Sequence, residues 1–471
     1  MRTNSSQHQQ SQSFHGKLMF SVYSSASLAI FQYEKHTLNT PILLQGNQST
    51  PKMVNTRAKV QKIQNTMKLC FMEAAMADST QLTTQSGALI GSNDELLIEI
   101  LRRLPVTSVL RFKSVSKHWR SLLSHRRFTL LYKNASSGLF VRNLYIPFNN
   151  EDRSTPPFRK LDFYHDPSGI TIVQSCNGLL LCCSDRGHVR ARRYYIFNPT
   201  TKQFSLLPSV PGGMDVRKTI RFMGLAFHQT DCVHYKVVCF HRAKPDEYLF
   251  AKPDEDLFRI QIYSSETGKW KISDQSFSAP YYTSFSSGVY LNHALYWAPT
   301  CVSPSYFKLD TEEIQSLPLP MAVASFGGYR DGAMPLYFGE SQGHLHLGER
   351  VDRFESHLQL NVYEMLNDHS GWFLKYGVEL DEVPIAYPEM IHSYLDPSSP
   401  HYYKFEFFDV VRGEEEEEMF IVIKIPGKII RYNVVDKSFK AIFDLNHLYA
   451  ISYGRIGHSE VHRYIETLAS F

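Results

Sequence analysis

The chain has 471 residues, a formal net charge of +4, and 43% hydrophobic against 20% charged residues, with tyrosine and phenylalanine plentiful. That composition is globular, with length enough to bury a substantial core. It contains no run of about 18 apolar residues, so no transmembrane helix is expected; the nearest candidate, residues 18–31, is short and broken by serines. Residues 1–85 carry +5 and the remainder −1. Broad nucleic-acid affinity needs clustered basic residues to displace phosphate counterions, and none is expected here. Arg190, Arg192 and Arg193 form one small basic cluster that could face an anionic partner.

Seven cysteines, most of them inside apolar runs such as 179–183, fit thiols acting as small hydrophobes in a reducing compartment. Paired C-x-x-C spacings, which a zinc site would need, are absent. Cys176, Cys182, Cys183, His344 and His346 are expected to alternate along strands rather than to ligate a metal, and no cofactor is expected.

Residues 1–85 are rich in Ser, Gln, Thr and Asn and lack the apolar content to offset ordering entropy. They read as a disordered tail. The acid-free stretch before Glu34 weakly resembles an organelle transit peptide; a flexible extension ahead of Met67 or Met72 is the plainer reading. Helical order is expected from Ser92, where Ser92-Asn93-Asp94-Glu95 reads as a capping box. Leu97, Ile100, Leu101 and Leu104 then fall on one helical stripe, which Pro105 stops. A second helical stretch holds Val109, Leu110 and Phe112. A third begins near Ser114, with Val115, Trp119 and Leu122 on one face. Three helices in so short a stretch make a small core, and exposed apolar surface should seek a partner.

From about Gly138 the pattern changes to short strands separated by Gly, Asn, Asp and Pro. Two half-units recur. One is a turn followed by an apolar strand, at 177–181, 292–297 and 342–347. The other is a strand, a polar turn and an aromatic: 195–199 ending in Phe204, 260–263 ending in Trp270, 360–363 ending in Trp372, 430–434 ending in Phe439, and a weaker copy at 306–317. Their spacing centres near the roughly 50 residues of kelch-like blades. A β-propeller of about six blades, whose radial repetition protects strand edges, is therefore expected over a sandwich or barrel. The fold class is thus α+β and multidomain: tail 1–85, helical module 89–133, all-β domain 138–471.

Residues 94–106 (DELLIEILRRLPV) and 110–122 (LRFKSVSKHWRSL) resemble an F-box, including the Pro after helix one and the Val-Ser-x-x-Trp of helix three. The remainder resembles the F-box-associated domain of the large plant F-box family, through Asn198-Pro199-Thr200 and the late Tyr464-Ile465-Glu466-Thr467-Leu468. The resemblance implies a non-catalytic substrate receptor of an SCF-type cullin ubiquitin ligase. Its F-box would dock on a Skp-type adaptor, and through it a cullin scaffold, while the β-rich domain holds a protein substrate. The family's adaptor contacts carry over to Leu97, Ile100, Leu101, Leu104, Pro105, Val115, Trp119 and Leu122, with internal packing an equal role for Leu101 and Leu122. A nuclear or cytoplasmic location follows on this reading.

One departure stands out. F-boxes usually carry Leu-Pro just before the Asp-Glu of helix one, and here Ser92-Asn93 takes those places. Losing a buried leucine-sized contact costs about 1.5–3 kcal/mol, roughly ten- to a hundredfold in affinity. An F-box interaction protein without ligase activity is the alternative this raises. Nine Lys or Arg against three acids over 92–133 would favour encounter with an acidic adaptor. An enzyme on the propeller would need convergent acid, base or metal groups. Asp166, His228, Glu340 and His369 are the candidates, with no catalytic motif around them. The acidic run 414–418 reads as a solvated loop tip with a secondary possibility of meeting a basic partner.

Overall fold

The computed structural model describes residues 93–132, 137–149, 161, 169–184, 192–243, 255–280, 283, 285, 288–297, 304–320, 336–351, 357–399, 401–413, 418–446, 456 and 460–469. The expected disordered tail, Ser92, Asp166, Arg190 and Glu414 to Glu417 lie outside these. The chain divides into two compact units, Met1–Asn134 and Ala135–Phe471.

The first unit is helical: α1 (Asp94–Leu101), α2 (Val106–Phe112), α3 (Lys117–Ser124) and α4 (Arg126–Leu131). Three helices were expected; the fourth is a short addition that brings Phe128 into the core. The expected capping box at Ser92 is corrected. Asn93 is the cap, extended at φ −107°, and its Oδ1 accepts the Leu96 N–H at 3.1 Å. Asparagine satisfies an orphan helix-start donor as well as serine does, so α1 begins one residue later. Asp94 and Glu95 then sit in its first turn, where the helix dipole favours acids. The third helix is capped by Ser116, whose hydroxyl accepts the Trp119 N–H at 3.1 Å. The Ser-x-x-Trp spacing is thus a cap and the third residue of its helix, and the start expected near Ser114 moves to Lys117.

The second unit contains six antiparallel sheets, each a separate blade. Five have four strands in chain order: β3 (Ile170–Cys176), β4 (Leu179–Ser184), β5 (Tyr194–Asn198) and β6 (Gln203–Leu206); β7 (Ile220–His228), β8 (Cys232–Arg242), β9 (Glu255–Ser264) and β10 (Lys269–Pro280); β11 (Val289–Leu291), β12 (Ala294–Tyr296), β13 (Ser305–Lys308) and β14 (Glu313–Ser316); β15 (Tyr337–Ser341), β16 (His344–Arg350), β17 (Gln359–Met365) and β18 (Trp372–Glu379); β19 (Glu406–Val411), β20 (Phe420–Ile425), β21 (Lys428–Asn433) and β22 (Phe439–Asp444). The sixth joins β1 (Ser137–Val141) and β2 (Leu144–Pro147) to the last strand, β23 (Val461–Ile465), with Phe140 opposite His462. The result is a six-bladed propeller closed by pairing the two ends of the unit. Two short helices, α5 (Gly213–Thr219) and α6 (Glu382–Ala386), lie in passages between blades.

Both sequence half-units are explained. The first is the hairpin joining strands one and two of a blade. Asn177-Gly178, Asn292-His293 and Gln342-Gly343 all have positive φ at both central residues, which matches the twist of tight hairpins. The second is strands three and four, with each closing aromatic opposite its partner: Phe204 with Phe197, Trp270 with Tyr263, Trp372 with Met365, Phe439 with Tyr432. Trp270 and Trp372 also link blades. Each donates its indole N–H to the carbonyl of a proline just past the preceding blade's outer strand, Pro208 at 2.9 Å and Pro318 at 2.7 Å.

The buried apolar clusters lie between blades rather than within one layer. One joins Leu181 of the first, Phe240 of the second and Phe307 of the third; another joins Leu360 of the fourth to Ile423 of the fifth. Burial across radial interfaces is what makes the ring one cooperative core. Toward the axis, Tyr337 of β15 donates to Asp409 of β19 at 2.8 Å. Arg463 of β23 lies 3.3 Å from the other oxygen of Asp409 and donates to the Glu340 carbonyl at 2.8 Å. Burial pushes the Asp409 carboxyl up, with Arg463 and the Tyr337 hydroxyl pulling the other way. Three successive inner strands are strapped together by these side chains.

Candidate functional site

The helical unit separates its apolar side chains into two sets. Leu97, Ile98, Leu101, Leu104, Val106, Val109, Phe112, Trp119, Leu123 and Phe128 are buried within it. Ile100, Pro105, Leu110, Val115 and Leu122 remain half-exposed. Of the residues assigned to the adaptor from sequence, Leu97, Leu101, Leu104 and Trp119 therefore pack the unit, while Ile100, Pro105, Val115 and Leu122 keep surface to offer. Trp119 meets Phe112 edge to face, with ring centroids 5.6 Å apart. The Tyr132 hydroxyl, 28 residues away in sequence, donates to the Leu104 carbonyl at 2.8 Å and ties the end of the unit to the end of α1. The buried stripe of α3 runs from Trp119 to Leu123 rather than to Leu122, Ile98 extends the expected α1 stripe of Leu97 and Leu101, and Phe128 belongs to the added α4.

The polar surface of this unit is basic. Arg102 and Arg103 reach Glu99 at 2.9 and 3.5 Å along α1, and His118 of α3 lies 2.8 Å from Asp94 of α1. Those three contacts use two of the three acids of residues 92–133. Arg111, Arg120, Arg126 and Arg127 stay exposed, and burial lowers the Lys113 ammonium from its ordinary value. A basic surface with half-exposed leucine, isoleucine and valine suits an acidic partner with apolar hollows.

The described candidate acid–base residues of the propeller, His228, Glu340 and His369, do not converge. His228 ends β7 beside Asp231, with its Nδ1 in contact with that carboxylate. The Glu340 carboxylate accepts the Gly343 N–H at 2.7 Å within its own hairpin. His369 stacks on Tyr296 and Tyr306 of the neighbouring blade, and its Nε2 lies in hydrogen-bond contact with the Tyr296 hydroxyl at 2.6 Å. His344 and His346 share one face of β16; the first lies 2.9 Å and the second 3.6 Å from Glu364, which Arg412 bridges at 3.0 Å. Among the described residues, no group of three His, Cys, Asp or Glu side chains could hold a metal ion. Cys176, Cys182 and Cys183 are buried thiols of β3 and β4, and burial pushes those of Cys176 and Cys182 up.

The two late motifs singled out in sequence meet in space. Asn198, at the turn after β5, uses Oδ1 to accept the N–H groups of Thr200 and Thr201 at 2.9 and 3.2 Å. Its Nδ2 donates to the carbonyls of Thr467 and Ala469 at 3.2 and 2.7 Å. The Thr200 hydroxyl bonds the Tyr464 hydroxyl at 2.6 Å and accepts the Thr467 N–H at 3.1 Å. Gly178 is required beside them: any Cβ there would collide with the Ile465 carbonyl and the Thr467 side chain. Asn198-Pro199-Thr200 and 464–468 are two halves of the lock that holds the closing strand.

Two family models match this arrangement. The F-box domain covers residues 93–131 and the F-box associated beta propeller domain covers 127–332. The F-box protein At5g07610 of Arabidopsis thaliana is 32% identical over 389 residues, covering 78% of this chain and 89% of its own length. The chain belongs to the plant F-box family. Other F-box relatives in the same plant include F-box only protein 8, 30% identical over 48% of this chain and 79% of that protein. The F-box/kelch-repeat protein At4g19930 is 30% identical over 36% of this chain and 42% of that protein. An F-box joined to a propeller supports, at the level of the family, a role as substrate receptor of SCF-type ubiquitin ligases.

Proposed function

We propose that this F-box protein is the substrate-recognition subunit of an SCF-type cullin ubiquitin ligase, in which the helical unit binds a Skp-type adaptor and the propeller holds the protein to be ubiquitinated. The observation that carries the reading is the pairing, in one chain, of a small basic helical unit with unspent apolar surface and a closed propeller whose described candidate acid–base residues each have structural partners. On this reading the protein performs no bond chemistry. It raises the effective concentration of substrate near a charged conjugating enzyme, into the millimolar range for a well-matched span. A nuclear or cytoplasmic site of action belongs to the same proposal.

Co-purification of the full chain with a Skp-type adaptor tests it. Ile100 is half-exposed on α1, so Ile100→Asp should leave the melting curve unchanged and weaken the adaptor at least tenfold. Unchanged adaptor affinity would remove α1 from the interface. A second reading is favoured by Ser92-Asn93, since Asn93 serves as a helix cap where an apolar contact is usual. In that reading the chain binds its partner but no adaptor, and the wild-type protein would fail the co-purification.

A further inference from the structure

In every four-stranded blade the turns between strands one and two, and three and four, lie at one end. The connection from strand two to strand three, and the passage to the next blade, leave from the other. At that second end, the segment from the entry of β5 to the start of β7 is basic. Residues 186–221 hold eight Lys or Arg against one acid, Asp215; Lys202, in the turn between β5 and β6, lies at the opposite end. The first 85 residues are +5 and residues 92–133 are +6, which leaves −7 for the rest of the chain, so this segment stands against the sign of its own domain.

The described members of the set come from three places at that end. Arg192 and Arg193 are exposed where the chain enters β5. Arg217 and Lys218 form the last turn of α5, and Arg221 follows in β7. The fold places these elements at the same end of adjacent blades. Tyr194, whose hydroxyl Arg192 bonds, joins the same apolar cluster as Val216 of α5 and Ile220 of β7, and α5 lies against β8. The Arg221 guanidinium turns back to the Lys218 and Ile220 carbonyls, at 3.5 and 3.4 Å. The five charges lie at one end of two adjacent blades, and the Arg221 guanidinium is turned to its own backbone rather than toward a common point with the others; we read them as a stripe. A single phosphate group is best held by convergent guanidinium forks; a stripe matches carboxylates repeated along an extended chain.

We propose that this stripe, Arg192, Arg193, Arg217, Lys218 and Arg221, docks an acidic segment of the protein substrate, rich in Asp and Glu and extended in conformation. The inference rests on the propeller being the substrate-holding domain. It adds the chemistry of what is held and assigns it to blades one and two.

The test uses the full chain and a fluorescein-labelled twelve-residue peptide of alternating Glu and Gly, read by anisotropy. Binding should weaken at least tenfold in R192E/R193E and in R217E/K218E, and should weaken as salt rises. It should be unchanged in K202E/K269E, which makes the same charge change at the opposite end of blades one and two. Equal binding by wild type and both double variants would overturn the proposal, as would no binding by any of them. Tighter binding of a peptide with one phosphoserine and otherwise neutral residues would overturn it in favour of a phosphate site. Equal binding of a single-stranded oligonucleotide of matched charge would overturn it in favour of general polyanion affinity. Adaptor co-purification is measured on the same variants. Failure of the receptor reading appears as a wild type without adaptor, whereas failure of the stripe appears with the adaptor still bound.

Discussion

His369 shows how a single side chain couples two blades. It sits in the turn after β17 with φ +60°, stacks on Tyr296 and Tyr306, and hydrogen-bonds the Tyr296 hydroxyl through Nε2. Burial, with Lys308 nearby, lowers its imidazole pKa. Burial lowers His346 and His241 as well, although Glu364 pulls His346 the other way. A histidine whose folded pKa lies below its unfolded value of about 6.5 is protonated first in the unfolded chain. Its contribution to stability is complete above about pH 6.5 and is lost as pH falls toward the folded value. The urea midpoint should therefore drop between pH 7 and pH 5. His369→Asn keeps a residue that tolerates left-handed backbone but does not titrate, so it should flatten part of that drop. An identical pH profile in the variant would show that His369 does not contribute to it.

At the scale of elements, α3 decides the helical unit. Its cap at Ser116 sets Trp119 and Leu123 on the buried stripe, and Trp119 seals α2 through Phe112. Trp119→Glu puts a charge where an aromatic was buried, a change that costs several kcal/mol and exceeds what so small a core can absorb. The helical unit should unfold and the adaptor should be lost. The propeller has its own apolar clusters, so the β-sheet signal in circular dichroism should persist while helical signal falls. A concerted loss of both signals would mean that the two units fold as one. Set beside Ile100→Asp, the pair separates a packing residue from a surface residue on the same module.

For the whole molecule, closure is the decisive event. The sixth blade is assembled from β1 and β23, so releasing the last strand exposes edges in β1 and the apolar clusters on either side. Asn198 holds that strand from blade one. Asn433 forms the same local turn in blade five, its Oδ1 accepting the Val435 and Asp436 N–H groups at 2.8 and 3.2 Å. Asn198→Ala strips the Thr467 and Ala469 carbonyls of their donor as well as undoing the turn, and should cost on the order of 1–3 kcal/mol more than Asn433→Ala. Denaturant unfolding of the two variants measures the difference. Equal losses would mean that the contacts to Thr467 and Ala469 add nothing to closure.

Much of this was legible along the chain. The change from helical to alternating periodicity near residue 138, the repeated turn–strand and strand–aromatic half-units, and the F-box pattern at 94–122 are local signals, because each depends on neighbours within a few residues. They were enough for a helical module followed by a propeller of about six blades. Cap position was legible only to within a residue: Ser92 and Asn93 are both good caps, and that one-residue difference decides where the helix begins. The division of the adaptor set was not legible, since Leu97 and Ile100 look alike on a helical wheel until the packing of the unit buries one of them. Nor could sequence show that Asn198-Pro199-Thr200 grips 464–468, or that Arg192 and α5 share one end of two blades. Those contacts join positions far apart in the chain, and only the closing of the ring, driven by burial between blades, brings them within hydrogen-bonding or electrostatic reach.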